Sequence, residues 1–90
     1  MNNQAVGLIE IRGLAAVIAA ADTASKTAGV TILGYEVTKG SGLAVLKISG
    51  EVSAVTAAIE AAREQAAKVS TVFASRVISR PHEELARYLS

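Results

Sequence analysis

Ninety residues make a single domain. With 51% apolar and 19% charged residues, the chain is too apolar for a disordered tail. A net charge of +1 with no basic run excludes a general nucleic-acid binder, which needs a clustered basic face. The absence of cysteine excludes disulfides, thiol catalysis and cysteine-type zinc sites, and fits a reducing cytoplasm.

Eighteen of the residues are alanine and only 3% are aromatic, namely Tyr35, Phe73 and Tyr88. Alanine buries little area, so the core is thin, yet the mean hydropathy is +0.40. Apolar surface is therefore left for partners, and an oligomer is expected. The longest apolar run, residues 14–21, falls far short of the ~20 residues that cross a bilayer. Met1-Asn2-Asn3-Gln4 has no cationic stretch ahead of an apolar one, so no secretory leader is expected. No linker interrupts residues 1–90, and residues 1–4 and 90 are expected as flexible ends.

In chain order, residues 5–12 predict a strand with two fairly apolar faces, as in the middle of a sheet. Gly13 breaks it, and residues 14–28 predict a helix with Gly29 just past its end. The first two turns of that helix are apolar all round, which calls for cover on more than one side. Asp22 and Lys26 stand four apart, acid first. Residues 30–37 and 43–49 predict two strands joined by Thr38-Lys39-Gly40-Ser41-Gly42, a glycine-rich hairpin loop. Gly50 is expected to turn the chain. Residues 51–69 predict an amphipathic helix with Val52, Val55, Ile59, Ala62, Ala66 and Val69 on one stripe. Residues 71–79 predict the last strand, and Pro81 opens a short terminal helix with Glu83 and Glu84 at its positive end. The order βαββαβ defines an α+β, ferredoxin-like fold, whose many functions have to be argued from sites.

Catalytic constellations are missing. His82 is the single histidine, and no Ser-His-acid set exists. His82-Glu83-Glu84 reads as helix capping before it reads as a metal site, so no cofactor or metal is expected. Gly40-Ser41-Gly42 lacks the spacing of a phosphate loop and lies between two strands. An RNA binder of this topology needs stacking aromatics on its central strands, which residues 5–12 and 43–49 lack. Acylphosphatase-like chemistry needs an asparagine, and the only ones are Asn2 and Asn3.

Several stretches together carry a resemblance. They are Ala5-Val6-Gly7-Leu8-Ile9-Glu10, Arg12-Gly13-Leu14, and Ala20-Ala21-Asp22 with Lys26. Gly34-Tyr35-Glu36, Gly40-Ser41-Gly42-Leu43, and Gly50-Glu51-Val52 with Ala54-Val55 follow. Val77-Ile78 and Arg80-Pro81-His82-Glu83 close the series. Their order and spacing resemble the single-domain, hexamer-forming shell proteins of bacterial microcompartments, over nearly the whole chain.

The resemblance implies a structural protein, not an enzyme. Six copies would form a flat tile, and tiles would meet in sheets with other shell proteins around enclosed enzymes in the bacterial cytoplasm. A hole on the six-fold axis would pass small metabolites, with no nucleic-acid or membrane partner. By the same resemblance Lys26 and Arg80 lie at the tile edge, while Lys39, Gly40, Ser41 and Gly42 line the pore. The chain departs from the family in two places. Its loop, Tyr35-Glu36-Val37-Thr38-Lys39-Gly40-Ser41-Gly42, is one residue longer than the usual Tyr-Glu-Lys-Ile-Gly-Ser-Gly, and Gly29 stands where relatives often carry a polar side chain. The competing reading is a ligand-binding regulatory oligomer of ACT-like or PII-like type.

Overall fold

The computed structural model describes residues 4–38 and 40–79. Alternation along the two middle strands decides which side is the core. Ile9 and Ile11 of β1 (Gln4–Arg12) and Leu46 and Ile48 of β3 (Leu43–Glu51) are fully buried on one face. The helices α1 (Leu14–Ser25) and α2 (Val52–Val69) cover that face, supplying Ala16, Val17, Ala20, Val55, Ile59 and Ala62 to the same core. The outer strands are β2 (Val30–Val37) and β4 (Val72–Ser79). The sheet order is β2-β3-β1-β4 with each neighbouring pair antiparallel. This is the expected α+β, ferredoxin-like βαββαβ arrangement. The terminal helix expected from Pro81 onward lies outside the described residues.

Gly7 explains how closely α2 sits on the sheet. A Cβ there would stand 2.8 Å from Val55 Cγ1 and 2.8 Å from Ile59 Cγ1. Only a residue without a side chain lets the helix approach β1 this far.

Strand β4 starts at Val72, one residue after the expected 71, and four other boundaries differ from the sequence reading. Gln4, expected in the flexible start, opens β1 opposite Glu51. Helix α1 stops at Ser25, three residues short of the expected end, so Gly29 does not follow it directly. Side chains compete for its last carbonyls: Thr23 Oγ1 donates to Ala19 O at 3.1 Å and Ser25 Oγ to Asp22 O at 2.7 Å. The backbone then closes in the tighter i→i−3 pattern, Lys26 N to Thr23 O and Thr27 N to Ala24 O. Gly50 does not turn the chain. It continues β3, paired with Ala5 and Val30 and close against the Gly29 carbonyl. Finally, Glu51 caps α2 instead of joining it, accepting from Ser53 N at 3.0 Å and from the Ser53 hydroxyl.

Strand β2 carries a register shift between Ile32 and Gly34. Before it, Val30 and Ile32 pair with Gly50 and Ile48 on the helix-covered face; after it, Tyr35 and Val37 pair with Leu46 and Ala44 on that same face. The bulge thus turns Tyr35 and Val37 to the side where alternation alone would have put Gly34 and Glu36.

Candidate functional site

The hairpin loop after β2 is built by its own polar groups. Thr38 N donates to Leu43 O at 2.8 Å, and Ser41 N to Thr38 O at 3.5 Å. The Ser41 hydroxyl donates to Thr38 O at 3.3 Å and accepts from Leu43 N at 3.2 Å. Gly40 and Gly42 have φ of +83° and +74°, with no heavy atom within 4 Å of where a Cβ would be. Glycine is required there by the backbone, not by space. Gly40, Ser41 and Gly42 are all exposed, while Lys39 lies outside the described residues. The structure engages the Ser41 hydroxyl inside the loop, leaving one lone pair over.

Two further bonds fix where the loop sits. Gly13 N donates to Gly42 O at 2.7 Å, and Arg12 N to Thr71 O at 3.0 Å. The loop, the β1–α1 junction and the approach to β4 therefore share one end of the sheet.

Lys26 is at the other end. It follows α1, whose 12 residues at ~1.5 Å each carry it ~18 Å from the loop. Its Nζ lies 3.2 Å from Asp22 Oδ2, and both side chains are well exposed. Ser79 pairs with Ala5 at this same end, and Arg80 itself lies outside the described residues.

The long sides between the two ends are apolar. Among the described residues, the exposed large hydrophobics are Leu14 and Ile18 on α1, Leu33, Tyr35 and Val37 on β2, Val69 at the end of α2, and Phe73 on β4. The sequence reading put Tyr35 in the strand over 30–37 and Phe73 in the strand over 71–79, leaving the central strands without aromatics. Among the described residues both lie on outer strands, one at each edge of the sheet, and neither is in the core.

Nothing assembled among the described residues resembles a reaction centre. No three of His, Asp or Glu come together for a metal there, and His82, Glu83 and Glu84 lie outside them. Among the described residues only Glu51 shows a shifted acidity, held below the ordinary carboxyl range chiefly by the Ser53 hydroxyl and then by the Ser53 amide. On the face of the sheet without helices, a shallow groove of about 270 Å³ runs between Leu8, Glu10, Val45 and Arg76. None of the described helices is long and apolar enough to cross a membrane.

A two-helix, four-strand domain whose polar loop and exposed lysine sit at opposite ends, with apolar sides between them, has the build of a unit for assembly. The BMC domain profile matches residues 5–81, and the chain belongs to that family. It is 43% identical over 89 residues to the bacterial microcompartment shell protein PduA of Citrobacter freundii, covering 99% of this chain and 95% of that protein. It is 46% identical over 83 residues to the carboxysome shell protein CcmK2 of Synechocystis sp., covering 90% of this chain and 80% of that one. Among solved structures it matches a microcompartment protein from Desulfitobacterium hafniense DCB with a TM-score of 0.85 and 31% identity. The match covers 97% of this chain and 49% of that one, so this chain spans about half of that neighbour. Proteins of this family are structural shell components and not enzymes, and this chain takes that role. The ligand-binding regulator is thereby set aside.

Proposed function

We propose that six copies of the chain form a flat ring with the Thr38–Gly42 loops around its axis and Lys26 and Arg80 on its outer rim. Such rings tile the shell of a bacterial microcompartment in the cytoplasm, beside other shell proteins and around enclosed enzymes. The observation that carries this reading is the placement of the loop and Lys26 at opposite ends of α1. In a ring, one end of each copy faces the centre and the other faces the next ring.

The loops would then surround a narrow polar passage. Gly40 and Gly42 keep their peptide groups uncovered by side chains, which suits anions and neutral polar solutes. The rim contact is smaller and more polar than the contacts inside a ring, so losing one hydrogen-bonding partner can abolish it. Electron microscopy and light scattering test the reading. The parent is expected to give six-fold rings and, at high concentration, sheets. Lys26→Asp and Arg80→Ala are expected to give rings without sheets. A stable monomer at micromolar concentration overturns the ring, and sheets from either folded variant overturn the rim assignment.

A further inference from the structure

Arg12 stands beside the hairpin loop and on one face of the sheet. It ends β1 opposite Leu43, the residue that follows Gly42, so it lies about one residue rise, ~3.3 Å, behind the loop. Its amide donates to Thr71 O at 3.0 Å, and the amide of Gly13 donates to Gly42 O at 2.7 Å. Both bonds hold its backbone at the foot of the loop. Ile9 and Ile11 turn into the core, so Leu8, Glu10 and Arg12 turn to the face without helices. There the Arg12 guanidinium lies 5.3 Å over the Phe73 ring, a contact that steadies an otherwise exposed cation.

The charge is uncompensated. Among the described residues, no carboxylate comes within 4 Å of Arg12 to form an ion pair. The acids on its own face have other cations beside them. Glu36 Oε2 lies 3.7 Å from Lys47 Nζ, and Glu10 shares a groove with Arg76. Glu10 is also two residues farther from the loop along β1. On the helix-covered face, the last turn of α2 carries Lys68, with Glu64 four residues before it to offset its charge. The amino end of α1, on that same face, adds about half a positive charge. A full charge per copy on one face thus stands against about half a charge on the other.

We infer that Arg12 makes the two mouths of the passage unequal, the mouth on the helix-free face being the one that gathers anions. The inference rests on the ring reading above and adds a residue that the loop does not contain. Six guanidinium groups around one mouth raise the local concentration of small anions there, as any surface of one sign does for its counterions. The current carried by anions then depends on the direction of the driving force.

Single-ring conductance tests this. At about 0.01 M salt, where the Debye length is ~30 Å, parent currents at opposite voltages are expected to differ roughly two-fold or more. At about 1 M salt, where it is ~3 Å, the two currents should become equal. At the low salt, Arg12→Gln is expected to equalise the currents, Arg12→Lys to keep them unequal and Lys68→Gln to change nothing. The inference is overturned by an asymmetry that survives the high salt, persists in Arg12→Gln or disappears in Lys68→Gln. Should Arg12→Gln fail to assemble, Arg12→Met replaces it, and the salt series on the parent needs no variant. A parent without a conducting ring removes the ring reading, and this inference falls with it. A conducting parent with equal currents at low salt removes this inference alone.

Discussion

The amide of Gly13 donates a 2.7 Å hydrogen bond to the carbonyl of Gly42. One peptide group thus ties the hairpin loop to the point where β1 gives way to α1. The loop is exposed, yet its far side is anchored to the most buried strand pair of the sheet.

Gly42→Ala tests that anchor. The added methyl meets no neighbour, so the cost comes from holding a side-chain-bearing residue at φ +74°. We expect a loss of about 1–2 kcal/mol in urea-unfolding free energy, the usual penalty for this backbone region. The Gly13 amide should exchange faster in the variant. Unchanged exchange would mean that the anchor survives strain in its acceptor.

The passage is expected to take its charge preference from Lys39 and its shape from Ser41. One charge ~8 Å from a passing ion contributes ~0.5 kcal/mol in water, and six contribute a few kcal/mol before screening. Lys39→Glu should therefore shift conductance of reconstituted tiles from anions toward cations. Ser41→Ala should leave that preference alone, because its hydroxyl is engaged with Thr38 O and Leu43 N. The Leu43 amide should exchange faster instead. An ion preference unmoved by Lys39→Glu would remove the lysine from the passage.

Gly7→Ala overpacks the contact between β1 and α2. The new methyl would meet both Val55 and Ile59 at less than van der Waals distance. The expected loss is about 1–3 kcal/mol in unfolding free energy. Adding Val55→Ala removes one of the two obstacles and should recover part of it. A double variant no better than the sum of the two single losses would show that the sites do not couple.

Glu51 gives the fold an acid-sensitive helix start. Its carboxyl is held below the ordinary range by Ser53, so the folded state favours the carboxylate. The stabilisation is complete above the unfolded pKa of about 4.3 and drains away as pH falls through the folded value. Glu51→Gln cannot titrate and should flatten that part of the acid limb in urea midpoints measured from pH 6 to pH 3. An acid limb identical to the parent's would assign it to other carboxylates.

Much of the fold was legible in the sequence because its periods are clean. Alternation in β3 and the stripe Val52, Val55, Ile59, Ala62, Ala66 and Val69 in α2 each point to one buried face; Val55, Ile59, Ala62 and Ala66 are buried, Val52 is half-buried, and Val69, in the last turn, is exposed instead. The end of α1 was not legible, since Thr23 and Ser25 have ordinary helix composition, and only their bonds to Ala19 O and Asp22 O show the competition. The bulge in β2 was hidden for a similar reason. Thr31, Ile32 and Leu33 all suit a strand, so nothing in composition marks where the register slips. The loop glycines were plain as a turn, but the bond from Gly13 joins residues almost thirty positions apart, which local patterns do not carry.

The length of α1 separates two kinds of change in this molecule. In the proposed ring, substitutions in the loop would alter what passes the centre, while Lys26, ~18 Å away along a 12-residue helix, would set how rings meet. Copies that differ only in the loop would therefore share one lattice spacing and substitute for each other in the same sheet. Permeability would then belong to the mixture, tuned by the proportions of interchangeable tiles while the geometry of the facet stayed constant.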